Sequence, residues 1–199
     1  MLTSRTVTTT GHGRVSLPRT SAVVRVGAAH QAGTLADALA GAESGRAAVV
    51  DVARRHVDAA AVSSRSLDVW PAHDTPGFEA RHTLAIRCAD PQVAARVVQE
   101  LADEVGDRLR LDGVTLAAVP TEDDVRTARE RAFADARQRA VHLAELAGTA
   151  LGSVVSLAEG ATSTGGGPGP LGLAAKTDAA LEPGEEDLTA TVTVVWELG

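Results

Sequence analysis

Aromatic rings are almost missing from this 199-residue chain, which has no Tyr and only Phe78, Phe133, Trp70 and Trp196. An aromatic-lined ligand pocket or a base-stacking platform has little to be built from. Hydrophobic residues still make up 44% of the chain, so the interior falls to Val, Leu and Ala, which lets helix and sheet approach closely. Cys88 is the only cysteine; no intrachain disulfide forms and nothing requires an oxidising compartment. Lys176 is the only lysine and the net charge is −7. That balance argues against nucleic acid, whose phosphates need a surplus of cations. No window of about 18 apolar residues is present, which excludes a membrane-spanning helix. The opening "MLTSRTVTTTGHG" has no apolar run of the signal-peptide kind, and the expectation is a cytoplasmic protein.

Turn residues and periodicity divide the remainder. Residues 5–11 and 20–29 are of β-type composition, and Gly11, Gly13 and Pro18 punctuate the stretch between them. The spacing predicts two strands with a bent, hairpin-like connection. From Thr34 to His56 the apolar residues take a helical stripe, with Thr34 as cap and Asp37 as its partner. Gly41 and Gly45 weaken its middle by up to ~1 kcal/mol each. Strands follow at 64–70 and 77–88. In the second, Phe78, Ala80, His82, Leu84, Ile86 and Cys88 share one face, and the polar residues take the other.

Asp90-Pro91 opens a helix with the stripe Val93, Val97, Leu101 and Val105. A short strand is expected from Gly113 to Val119. The longest helix runs over 121–148, with acidic residues at its start and small residues Ala128, Ala132, Ala136 and Ala140 along one stripe. Strands at 151–159 and 188–198 flank a Gly/Pro-rich connection, 160–186, which is longer than the ~12–15 residues usual for a structureless loop. The order ββαββ-αβαββ indicates an α+β fold with three helices and mainly antiparallel sheets. The chain reads as a single domain over 5–198, or as two lobes at about 5–88 and 89–198.

No motif in the chain brings chemistry with it. Gly11-His12-Gly13 lacks the third glycine of a dinucleotide fingerprint and runs into another strand instead of a helix. "GGGPGPLG" lacks the Lys and hydroxyl residue of a P-loop, and prolines interrupt its N–H groups. The histidines (His12, His30, His56, His73, His82 and His142) show neither HExxH nor His-x-His spacing. His82 stands out because it lies on an apolar strand face, where a core imidazole with a hydrogen-bond partner is the simple explanation. His73-Asp74 belongs to a Pro-flanked turn, and Cys88 reads as a small buried hydrophobe. No catalytic, cofactor-binding or metal-binding residue is assigned, and no cofactor is expected. The competing expectation is a metal- or small-molecule-dependent enzyme using His82 or His12.

Four segments together resemble a known family: "GHGRVSLPRTSAVVRVGA", "VSSRSLDVWP" with "GFEARHTLAIRC", "ARERAFADARQRAVHLAELAGTALGSVVSLAE", and "LEPGEEDLTATVTVVWEL". Their order and spacing are similar to the SIMPL-domain family, long described as a domain of unknown function. Two features depart from the family pattern. Arg19 stands where an acidic residue commonly follows the first proline, and the export signal common in bacterial members is not visible. The resemblance implies an α+β protein with no established catalytic activity and no catalytic residues to carry over. It also implies self-association into a homo-oligomer and, in bacterial relatives, a link to stress tolerance.

The helix stripe is directly testable. Ala136→Glu places an unpaired charge against the sheet and costs several kcal/mol. Arg137→Glu, one position round the helix, changes stability by no more than about 0.5 kcal/mol. Equal melting temperatures for the two variants contradict the assigned face.

Overall fold

The computed structural model describes residues 5–73, 75–165 and 184–199. They form eight strands and three α-helices: β1 (Thr6–Pro18), β2 (Ser21–Ala32), α1 (Leu35–Ala53), β3 (Val62–Pro71), β4 (Phe78–Cys88), α2 (Pro91–Val105), β5 (Leu109–Ala117), α3 (Glu122–Leu146), β6 (Leu151–Glu159), β7 (Ser163–Gly165) and β8 (Glu185–Leu198). The α+β class and the order of elements are as the sequence predicts, with the three-residue β7 added. The ends of the predicted 160–186 connection are ordered as β7 and the start of β8; 166–183 lies outside the described residues.

The chain divides after Pro18 and after Ala117, not near residue 88. The reason is pairing. β2 bonds to β4 on one side and β5 on the other, holding Arg19–Ala117 together as one compact unit. β1 bonds along its whole length to β8, from Thr6↔Glu197 to Pro18↔Glu185, so the first and last strands of the chain close the other unit.

In the β1/β8 unit the sheet order is β1-β8-β6, and β7 also pairs with β8. The expected hairpin between residues 5 and 29 does not form. β1 runs unbroken through Gly11 and Gly13, neither of which has a positive φ, and β2 belongs to the other sheet. The two glycines serve packing instead. A Cβ placed at Gly11 would fall on the backbone of Ala132 and Ala136, and one at Gly13 on the backbone of Ala128 and Ala132.

Helix α3 therefore lies directly on the strand, and Ala128, Ala132, Ala136, Ala140 and Ala144 are its buried residues. The two repeats stay in step because two strand residues advance about 6.7 Å and four helix residues about 6 Å. Thr9, one step further along β1, donates its hydroxyl to Ala136 O at 2.9 Å and accepts from Trp196 Nε1 at 3.1 Å. The buried hydroxyl and the buried indole are thereby both satisfied. A capping box starts the helix: Thr121 Oγ1 accepts from Asp124 N and the Asp124 carboxylate accepts from Thr121 N.

In the Arg19–Ala117 unit the order is β3-β4-β2-β5. Val24 and Val26 of β2 and Leu84 and Ile86 of β4 form its core with Val49 and Val52 of α1 and Val97 and Leu101 of α2. Thr34 caps α1, accepting from Asp37 N at 3.2 Å. Gly41, a weak point by helix propensity, leaves room for the ring of His30. The strand expected at 113–119 is β5, displaced towards the N-terminus, and α1 stops at Ala53 rather than His56.

Gly13→Ala tests the close approach of α3 to β1. It costs about 3 kcal/mol, the upper end for overpacking, because the added methyl meets backbone that has no rotamer to escape into. At Gly33 an added methyl meets nothing within 4 Å, so Gly33→Ala leaves the urea midpoint near wild type. Similar midpoints for the two variants contradict the contact.

Candidate functional site

Gly11 and Gly13 are buried beneath α3, so this Gly-x-Gly offers no N–H cradle to a phosphate. Cys88 is 2% exposed within the α1/α2 core, and burial pushes its thiol pKa up. It is held as an unreactive thiol. His12 is exposed on β1, with Nδ1 3.4 Å from Thr191 Oγ1. Among the described residues no carboxylate is in ion-pair contact with its ring; Asp135 lies near enough to interact with it through charge, and its Oδ2 accepts the His12 backbone N–H at 2.8 Å. That bond holds the Asp135 carboxyl below its ordinary range. Asp74, the neighbour of His73, lies outside the described residues.

His82 is different. Its side chain is 13% exposed, between the β3–β4 pair and α1. Ser64 pairs with Leu84, the next residue on His82's face of β4, so the Ser64 hydroxyl is a diagonal neighbour of the ring. Ser64 Oγ lies 2.9 Å from His82 Nε2, and Glu43 Oε2 of α1 lies 3.6 Å from Nδ1. Arg46, one helical turn on from Glu43, donates Nε to Glu43 Oε1 at 2.8 Å and lowers the Glu43 carboxyl's pKa. Burial pushes the His82 pKa down, against the pull of Glu43. The three groups line up as hydroxyl, imidazole and carboxylate. Periodicity had singled out His82, but Ser64 and Glu43 come from other elements, and no local spacing in the sequence connects them.

A second feature lies along β6. Among the described residues this strand pairs with β8 on one side only, and eight of its nine residues are exposed. Val154, Val155 and Leu157 are 44%, 54% and 53% exposed. Helix α3 packs on β1 and β8 and leaves β6 largely uncovered. Between them a cavity of about 500 Å³ is lined by Phe133, Leu157 and Val192 and bordered by Arg129, Glu130 and Glu159. At its rim Arg129 Nε and Glu159 Oε1 form an ion pair at 2.5 Å. The composition of "LGSVVSLAE" reads like an interior strand, so this exposure was not visible beforehand.

The opposite edge of the same sheet is partly closed from within. Asp135 takes the His12 N–H, and Arg131 donates to the Arg14 carbonyl. β8 is flanked by β1 on one side and by β6 and β7 on the other. It is an interior strand, and residues 188–198 offer no free edge.

Among the described residues, no group of three or more His, Cys, Asp or Glu is placed to hold a metal ion. Among the same residues, no helix is long and apolar enough to cross a membrane.

These features define an α+β protein of two antiparallel sheets, each carrying helices. The family model SIMPL, described as a protein of unknown function (DUF541), matches residues 7–196, and the chain belongs to that family. No curated protein matches it. A solved structure of AtUAH in complex with (S)-hydroxyglycine is similar at 13% identity and a TM-score of 0.24, covering 54% of this chain and 29% of that one. A likeness of that size carries no argument about this chain.

The environment of His82 sets a pH dependence. Because burial lowers its folded-state pKa below the ordinary 6.5, the unfolded chain takes up the proton first as the pH falls. The His82 contribution is therefore full above about 6.5 and is lost below it, towards the depressed folded value. Urea titrations show wild type losing stability between pH 7 and 5 more steeply than His82→Gln. Parallel pH profiles contradict this assignment.

Proposed function

We propose that the protein is a non-catalytic, self-associating member of the SIMPL family. The observation that supports this most is β6: among the described residues it is an edge strand with no strand partner on one side, and it exposes Val154, Val155 and Leu157. Exposed apolar edge strands are usually blunted by charge, proline or a covering element. β6 carries neither charge nor proline between Leu151 and Ala158, and α3 covers the other side of the sheet. A second copy of the chain satisfies both needs at once, supplying backbone partners to the edge and apolar side chains to the cavity beside Phe133. The family resemblance adds stress tolerance as the cellular role, to be tested by survival of a deletion strain under heat and oxidant.

A second reading is favoured by the hydrogen bond of Ser64 to His82. In it His82 acts as general base to the Ser64 hydroxyl, with Glu43 orienting the ring. Neither Ser64 nor His82 lines the α3/β6 cavity. A fluorophosphonate probe that labels wild type but not Ser64→Ala would favour this reading; wild type left unlabelled removes it.

For the leading reading, light scattering after size exclusion gives a mass that is a multiple of the 20.4 kDa chain. Leu157→Asp and Val155→Asp shift it to the single chain with unchanged circular dichroism. A 20.4 kDa species at every concentration, or variants that assemble as wild type does, rules the reading out.

A further inference from the structure

Helix α1 ends at Ala53 and is followed at once by Arg54, Arg55 and His56. These residues border a cavity of about 450 Å³ within the Arg19–Ala117 unit, together with Val57, Asp58, Ala61, Arg87, Ala89 and Val93. Three guanidinium groups and an imidazole border this one hollow, against Asp58 on the lining and Glu100 and Glu104 of α2 behind it. The volume falls within the range of small-molecule sites, roughly 300–1,000 Å³.

The cations are held in two different ways. On one side α2 fixes the rim: Glu104 Oε2 accepts from Arg55 Nη2 at 2.9 Å, Glu100 Oε2 lies 3.7 Å from Arg55 Nη1, and the same oxygen lies 2.9 Å from His56 Nε2. On the other side the charge is uncompensated. Arg87 Nη2 donates to the Ala60 carbonyl at 2.8 Å, which positions the guanidinium without neutralising it. Neither Arg87 nor Arg54 has a carboxylate partner among the described residues. Asp58 is the one carboxylate on the lining.

We propose that this cavity binds a small phosphorylated metabolite, its phosphate taken by Arg54 and Arg87. Two guanidinium forks without a carboxylate partner, one of them positioned by the Ala60 carbonyl, suit the several oxygens of a phosphate dianion. The hollow is larger than a bare phosphate needs, so an organic body accompanies the anion. The lining has no Phe, Tyr or Trp, and its one aromatic ring, His56, is engaged by Glu100, so a nucleobase finds a poor stacking platform and a sugar phosphate is the better fit. The site is separate from β6 and does not depend on self-association.

Titration calorimetry of the full chain tests it with four probes: inorganic phosphate, glucose 6-phosphate, glucose and citrate. Glucose 6-phosphate binds saturably and more tightly than inorganic phosphate, affinity falls with added salt, and glucose does not bind. Arg54→Ala and Arg87→Gln each weaken glucose 6-phosphate binding about tenfold, the loss expected for a charge-assisted contact. Asp58→Asn strengthens it, because the opposing charge is gone. Leu157→Asp binds as wild type does. The proposal fails if neither phosphate compound binds at millimolar concentration, if citrate alone binds, or if Arg54→Ala and Arg87→Gln both bind as wild type does.

Discussion

A helix resting on bare strand backbone is the contact on which the β1/β8 unit depends. The two glycines of β1 remove every side-chain atom from the path of α3, and the alanines of α3 answer with the smallest side chains that still present a surface. The resulting approach is too close for any other residue at Gly11 or Gly13 without backbone movement. It fixes the registration of helix on strand, because a slip of one strand position would drive Thr10 or His12 into the helix. It also brings Ala136 O within reach of Thr9, whose hydroxyl then accepts from Trp196. The one large ring in that interior packs against Phe133 at a centroid distance of 5.6 Å. Scarcity of aromatics and abundance of alanine are thus two sides of one packing solution.

The same contact explains why β6 is left uncovered. A helix seated over β1 and β8 cannot also shield a third strand, since helix and strand spacings of roughly 10 Å and 4.8 Å let one helix cover about two strands. The sheet consequently has two unlike edges. At β1, Asp135 and Arg131 reach over and occupy backbone groups. At β6 none of the described residues does, and the exposed side chains Val154, Val155 and Leu157 are aliphatic. The asymmetry leaves β6, and not the long terminal strand, at the exposed edge of this sheet among the described residues.

Polar groups in the Arg19–Ala117 unit follow a different logic. His82 sits where an apolar strand face meets a helix, and its burial is tolerated because Ser64 bonds one nitrogen while Glu43 approaches the other. Arg55 and His56 lean on α2 carboxylates, whereas Arg54 and Arg87 do not. Local spacing could find His82 by its place in an alternating strand. It could not find Ser64, Glu43 or the Arg54–Arg87 hollow, because each joins residues distant in the chain through pairing of β3 with β4 or packing of α1 and α2. The mistaken hairpin has the same origin: Gly11 and Gly13 look like turn residues until the partner that needs their missing side chains is known.

What the amino-acid order determines alone is local: strand alternation in β4 and β8, the capped starts of α1, α2 and α3, and the four-residue alanine repeat, all short-range consequences of period and backbone sterics. Which strands become neighbours, that the first strand bonds to the last, and that β6 is left at an open edge were decided only by tertiary structure. Those outcomes depend on burial shared between elements far apart in the chain, and no local window contains both partners.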